Sequence, residues 1–366
     1  MEGLARGAVY VHVPFCRRRC RYCDFAVAIR EPDAAFVDDV AAELRQRIEE
    51  GELCDGFVAT SLFLGGGTPS CLDDRALARL LRVVALDEGT EVTIEVNPED
   101  LDPVRARRWQ ALGVVRVSVG LQSVDDRVLG ALGRAHRGRD ALARIEAARA
   151  GAPALRWSAD LIFGSPQETD ESWHATLEAV VGLGIGHVST YALTIEPGSL
   201  LRSVILDEEV LARRYEHADA VLSSAGYVCY EVSNWARPGE ESRHNQVYWR
   251  HDPYVGLGPS AHSYVGSRRS WNVASWPRWR ERVRAGLVPR EGLEVLDEKQ
   301  LALERIYLGL RQRDGVELDR VPSWLEPFVE PAGTTRVRLS LRGRLVADAI
   351  AARLAAEELE RFGAGS

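Results

Sequence analysis

The sequence predicts an α/β protein: a partial (β/α)6 barrel followed by a small C-terminal α+β domain of winged-helix type. Two observations carry this. Strand-like apolar runs alternate with helix-period stretches through the first two hundred residues, the pattern of parallel strands joined by right-handed helical crossovers. The unusual residue clusters also fall where strands run into loops, the end of such barrels that carries chemistry.

The expected strands are residues 9–13, 61–64, 91–96, 115–119, 158–163 and 187–193. Between them, Phe36, Val40, Leu44 and Ile48 recur at helical steps, and residues 76–84 and 140–150 behave alike. After about Gly226 the rhythm breaks. Residues 230–271 are rich in Gly, Pro, Asn and aromatics and show little period, which reads as a functional loop region. From Trp276 the pattern is helical again, with Leu301, Ile306 and Leu310. A strand-like run at 335–341, a turn at Gly343 and a last helix at 345–354 follow, and only the tail 363–366 reads as disordered. The expected division is a barrel at 1–225, an aromatic and glycine-rich region at 226–275, and a C-terminal domain at 276–366.

The 366 residues are 46% hydrophobic, enough for a large core. A net charge of −8 argues against nucleic acid as a partner. No apolar run is long enough to span a bilayer, and the first strand begins too early for a signal peptide, so a cytoplasmic location is expected. A reducing compartment also suits free thiols. The local run Arg17-Arg18-Arg19 fits an anionic small molecule.

Cys16-x3-Cys20-x2-Cys23 follows the first strand directly. Three thiolates at this spacing can hold a cubane [4Fe–4S] cluster and leave one iron open. Zinc would need a fourth ligand, for which His12 is the nearest choice. A disulfide framework belongs to small secreted chains. Cys54, Cys71 and Cys229 stand alone and read as small buried side chains. Gly65-Gly66-Gly67-Thr68-Pro69 ends the second strand, where consecutive glycines either make a tight turn or let a ligand approach the main chain.

The cysteine loop with this glycine motif resembles the radical S-adenosylmethionine (SAM) superfamily, which implies a TIM-like barrel holding a [4Fe–4S] cluster. In that family SAM chelates the open iron and is cleaved to a 5′-deoxyadenosyl radical, with the protein orienting and shielding the cofactor. The motifs Tyr10–Cys16, Cys20–Phe25, Glu95-Val-Asn97-Pro98, Arg116–Ser123, Leu132–His136 and Asp160–Gly164 follow in order. They resemble the branch that holds the oxygen-independent coproporphyrinogen III dehydrogenases and a group of haem chaperones. The resemblance implies SAM contacts from Tyr10, Tyr22, Gly66, Gly67, Thr68, Glu95, Gln122, Arg134, Asp160 and Ala192. It implies cluster ligation by Cys16, Cys20 and Cys23. Taken singly, Glu95 and Asp160 read equally as capping or salt-bridge residues, Arg134 as a solvated helix residue and Gln122 as a loop amide.

Within the branch, the dehydrogenases carry a further cysteine two residues after the third cluster cysteine; here Phe25 stands there. The element His244-Asn245-Gln246-Val247-Tyr248-Trp249 resembles the one proposed to hold haem in the chaperones. His244 would be an axial ligand, with Tyr248 and Trp249 against the porphyrin and Arg237, Arg243 and Arg250 on its propionates. The plain alternative is a hydrogen-bonded core histidine with core aromatics. The resemblance implies a haem chaperone that delivers haem to apo-haemoproteins, respiratory ones at the membrane among them. Radical decarboxylation of coproporphyrinogen III is the alternative from the enzyme class, and a homodimer is left open. One departure stands out: Gly164-Ser165-Pro166-Gln167-Glu168-Thr169 replaces the family's Gly-Leu-Pro-Gly-Gln-Thr, losing a glycine and adding a charge near the SAM end of the barrel.

Overall fold

Six parallel strands form the frame: β1 (Leu4–Val13), β2 (Leu53–Gly66), β3 (Ala85–Val96), β4 (Arg116–Gln122), β5 (Arg156–Phe163) and β6 (His187–Ala192). The computed structural model describes residues 3–196, 199–201, 207–318 and 320–363. Residues 364–366, the end of the expected disordered tail, lie outside the described residues, and Gly363 closes a helix.

Each strand alternates by face, as the pleat requires. On β4, Val117, Val119 and Leu121 turn outward into the apolar layer. Arg116, Ser118 and Gly120 turn inward and line a cavity. The hydrophobic core therefore sits between the outer face of the sheet and its helices, while the barrel interior is polar. The helices include α1 (Phe36–Glu49), α2 (Asp74–Leu80), α3 (Pro103–Ala111), α4 (Asp126–Leu132), α5 (Gly138–Gly151), α6 (Asp170–Gly182) and α7 (Glu208–Ser224). Their starts follow the chemistry of capping. Asp73, Asp102, Asp125 and Asp207 accept backbone N–H bonds at the starts of α2, α3, α4 and α7. Thr169 and Ser172 form a reciprocal box on α6. α2 ends at Leu80, short of the expected residue 84.

The expected loop at 230–271 is not a loop. It supplies β7 (Val228–Glu231), β8 (Asn234–Ala236), α8 (Arg243–Trp249), β9 (Tyr254–Leu257), β10 (His262–Val265) and β11 (Arg268–Asn272). Residues 290–295, expected within a helical region, form β12 (Arg290–Val295). Strands of three to six residues are too short to show alternation against a glycine- and aromatic-rich background. They extend both edges of the barrel sheet, whose order is β12-β11-β10-β9-β1-β2-β3-β4-β5-β6-β8-β7. β9 runs parallel to β1, with Tyr10 beside Gly256.

The extension is anchored on Glu43 of α1. Its buried carboxylate accepts from Arg47, Asn272, Trp279 Nε1 and the Gly258 N–H. α9 (Trp276–Arg284) packs into the barrel core through Trp276, Trp279 and Val283, so it does not belong to the C-terminal unit expected from residue 276. α10 (Glu298–Leu310), a three-stranded antiparallel sheet (Val316–Glu317, Val329–Ala332, Arg336–Leu339) and α12 (Ala347–Gly363) gather around a small core of their own, and α11 (Leu341–Leu345) joins the two. Gly343 lies inside α11 rather than in the expected turn: an added Cβ there would strike the Phe328 carbonyl oxygen at 2.0 Å, so the glycine permits close packing. Among the described residues no helix is long and apolar enough to cross a membrane.

Candidate functional site

A cavity of about 790 Å³ opens at the C-terminal ends of the barrel strands and runs down into the polar interior. Cys16, Cys20 and Cys23 line it as free, half-buried thiols. Cys16 ends a two-residue ladder, Phe15–Cys16 against Ala28–Ile29. The loop after it is pinned by the Arg21 N–H donating to Leu132 O on α4 (3.0 Å). Burial pushes the Cys16 and Cys23 thiols up, Cys23 to about 11, and neighbouring thiols add to the rise. Thiols raised in this way ionise together only around a strong cation, as an iron–sulfur cluster supplies. His12 is not a fourth ligand. Its Nε2 pairs with Ala26 O (2.8 Å) and its Nδ1 with Tyr10 Oη (3.2 Å), and it is buried behind the loop. Among the described residues no three His, Cys, Asp or Glu side chains meet closely enough to hold one ion; the thiols instead share a wall of the cavity.

Gly66 and Gly67 form the facing wall. Gly66 has φ +106°, and a Cβ on it would lie 2.7 Å from the His12 ring; one on Gly67 would lie 2.7 Å from Phe15 O. Only glycine fits here, which leaves the main chain bare toward the cavity. Thr68 Oγ1 stands 3.4 Å from Cys16 Sγ and accepts from Asn97 Nδ2 (3.2 Å).

The remaining wall comes from inward positions of the strands. Glu95 accepts the Gly66 N–H (3.1 Å), and burial followed by the nearby Asp160 carboxylate pushes it up to about 8. Asp160, also raised by burial, accepts from Ser118 Oγ (3.0 Å). Gln122 sits at a register shift between β4 and β5 with φ +65°, a strained backbone for a residue with a side chain, and it lines the cavity. Arg134 donates to Asn97 Oδ1 (2.6 Å) and Gly120 O (2.7 Å) and lies 3.5 Å from Cys20 Sγ, so a fixed positive charge stands beside the thiols. Tyr10, Tyr22 and Ala192 complete the lining, with Tyr22 packed beside Val128, Leu132 and Leu193. Asn97 was not among the expected site residues. Its signal was present, since it stands two residues after Glu95 within a motif.

The haem element is built differently from expectation. His244 and Tyr248 line the cavity, but Trp249 does not; it lines a separate small pocket beside Gln312, which donates to Trp249 O (2.6 Å). His244 is 1% exposed. Its Nδ1 pairs with Ser61 Oγ (2.8 Å), its Nε2 with Tyr248 Oη (2.9 Å), and its ring stacks on Phe63. Burial drives its pKa down to about 3. Neither ring nitrogen is free for iron in this conformation, since each already has a hydrogen-bond partner. Arg237 lies over the Tyr227 ring, Arg243 donates to Gly89 O and Arg250 lines the small pocket. None of the three lines the large cavity.

The departure at 164–169 is also accommodated locally. Gln167 takes φ +68° at the position where the family has glycine. Glu168 accepts the Gly164 N–H (2.7 Å) and pairs with Arg214, so its charge is neutralised away from the cavity.

A family model described as the radical SAM superfamily matches residues 10–180. The chain is 39% identical, over 93% of each sequence, to the heme chaperone HemW of Mycobacterium tuberculosis (strain ATCC 25618 / H37Rv). It is 35% identical to the heme chaperone HemW of Synechocystis sp. (strain ATCC 27184 / PCC 6803 / Kazusa), over 86% of this chain and 80% of the other. Among solved structures, the Escherichia coli coproporphyrinogen III oxidase HemN, described as a radical SAM enzyme, superposes with a TM-score of 0.82. That match covers 96% of this chain and 90% of that one at 20% identity, a likeness of fold.

Proposed function

The chain belongs to the radical SAM superfamily and, within it, to the family of the HemW proteins, and from that premise we propose that it is a haem carrier built on a cluster-and-SAM barrel. Cys16, Cys20 and Cys23 would hold the [4Fe–4S] cluster, and Gly66, Gly67, Thr68, Glu95, Gln122, Arg134 and Asp160 would hold SAM, with Tyr10, Tyr22 and Ala192 shaping its pocket. When bound, the cluster supplies an electron donor and SAM a sulfonium group open to reduction.

The chain's own residues have definite tasks in this reading. The glycine turn offers bare N–H groups to the ligand's polar end. Glu95 and Asp160 set two carboxyl groups against a cationic ligand. Arg134 compensates the thiolates. The cargo is haem, the acceptors are apo-haemoproteins, respiratory ones foremost, and the setting is the cytoplasm, which the six unpaired thiols suit.

The observation that carries the reading is the make-up of one cavity: three thiols, a glycine wall and an acid–amide wall, with the aromatic Phe25, not a further thiol, at its rim. The test is anaerobic reconstitution of the cluster followed by haem titration and coproporphyrinogen III turnover side by side. Stoichiometric haem binding without turnover is expected. Turnover without stable haem binding would overturn the proposal in favour of the dehydrogenase.

A further inference from the structure

We infer that haem docks across the mouth of the cavity, its macrocycle on Phe25 and its propionates on Arg18 and Arg19, without an axial imidazole from His244. This rests on the haem-carrier reading above and gives it a location. The first observation is exposure. Single exposed apolar side chains are ordinary, but several gathered around one opening mark a surface that something covers. Phe25 is 59% exposed, Ile29 52% and Leu200 59%. Phe25 lines the mouth together with Val27. Ile29 is the register partner of Cys16 and so shares the face of the ladder that bears that cysteine. Leu200 is fastened to the same loop by its N–H, which donates to Arg21 O (2.8 Å).

The second observation is charge. Arg17, Arg18 and Arg19 line the same mouth in a chain of net charge −8. Arg17 is committed to Asp100 (2.6 Å). Arg18 and Arg19 stand exposed on the loop that carries the cysteines, Arg19 with its Nε donating to Cys23 O (3.4 Å). Asp24 and Glu196 line the cavity as well, Asp24 on the same loop as the arginines. An exposed aromatic with arginines on the same loop matches a flat, apolar dianion: aromatic face on macrocycle, guanidinium on carboxylate. The third observation is the state of His244 and its neighbours. Its ring nitrogens are both engaged, and Arg237 and Arg243 are occupied elsewhere. Haem held by its face and its carboxylates, with no strong bond from His244 to iron, is also haem that an acceptor can remove.

The test uses the full-length protein with its cluster reconstituted, titrated with haem and with haem dimethyl ester. In Phe25→Ala and in the double variant Arg18→Gln/Arg19→Gln, haem affinity is expected to fall about tenfold, a plausible loss for one stacked aromatic or one charge-assisted pair. Wild-type protein should bind the ester with the reduced affinity of the arginine variant. His244→Gln should keep both the affinity and the haem spectrum. Should Phe25→Ala disturb the cluster, Ile29→Ala and the arginine variant carry the test alone. Unchanged affinity in all the mouth variants, with loss in His244→Gln, would overturn the inference and leave the carrier reading standing. Failure of the wild type to bind haem would instead overturn the carrier reading. A change of oligomeric state in Phe25→Ala with haem affinity intact would assign the apolar surface to a second copy of the chain and overturn the inference as well.

Discussion

Ser61 Oγ and His244 Nδ1 lie 2.8 Å apart inside the barrel, joining the second strand to the helix that follows the sheet's antiparallel edge. With Tyr248 Oη on the other nitrogen, the imidazole is a structural cross-link. The element that resembles a haem ligand motif thus does a packing task in this conformation. Its Asn245 donates to Tyr230 Oη and Glu231, and Tyr230 reaches His187 on β6.

A buried neutral histidine makes folding sensitive to acid. The folded-state pKa of His244 is driven to about 3 by burial, against 6.5 when exposed. Between those values the unfolded chain binds a proton that the folded one refuses. Its stabilising contribution is therefore fully present above about pH 6.5 and is lost as pH falls toward 3. His12 and His187 are lowered by burial too and add to the same slope. His244→Gln is expected to flatten the urea-unfolding free energy against pH in this window by up to one proton, about 1.4 kcal/mol per pH unit. Parallel profiles for the two proteins would refute it.

The parallel strands were legible because their outward faces are apolar almost without interruption, as on β4. The cysteine loop and glycine turn were legible because their spacing serves chemistry directly. The edge strands were not, since β8 has three residues and β9 carries glycine where a core side chain would signal a strand. Nor were the roles of Trp249 and Arg243 legible. A motif names residue types, but which way each side chain turns depends on partners such as Gln312 and Gly89, which lie far away in the chain. Gln122 lines the cavity from within its motif, but nothing in the sequence marks the positive φ that carries it.

Gln167 supplies a stability test for the departure from the family pattern. It is exposed and holds φ +68°, a conformation that costs a residue with a Cβ about 1–2 kcal/mol. Glycine removes the strain but adds freedom to the unfolded chain. Gln167→Gly is therefore expected to stabilise by about 0.5–1 kcal/mol in urea unfolding, with SAM affinity unchanged. A loss of stability would mean that the glutamine side chain makes contacts worth more than the strain.

The proposed SAM site predicts a pH dependence of SAM binding through Glu95. With its pKa held near 8 by burial and by Asp160, the carboxyl is mostly protonated at neutral pH in the free protein. A cationic ligand that needs the carboxylate must expel this proton below pH 8 and need not above it. The ratio of wild-type to Glu95→Gln affinity should climb as pH rises to about 8 and then level. Taking the ratio cancels the ligand's own titration, which both proteins share. Equilibrium dialysis on cluster-loaded protein measures it, and a flat ratio would show that the carboxylate does not meet the ligand's charge.

Glu43 tests how the extension strands are held. Its carboxylate is fully buried and satisfies four partners: Arg47, Asn272, Trp279 and the Gly258 N–H. Three of these lie more than two hundred residues away in sequence and belong to the β9–β11 edge or to α9. Removing the acceptor strands several buried donors at once and leaves Arg47 with Glu52 as its remaining carboxylate partner. Glu43→Ala is expected to cost about 3–5 kcal/mol, as for a broken buried ion pair. Glu43→Gln keeps one acceptor oxygen and should cost about 1–3 kcal/mol. The losses should also be uneven. Hydrogen exchange in β9–β12 should rise before that of β2–β6, because the edge is fastened to the barrel through this carboxylate while the inner strands hold one another. Equal deprotection of both groups would mean that the extension and barrel unfold as one unit, with Glu43 no special anchor.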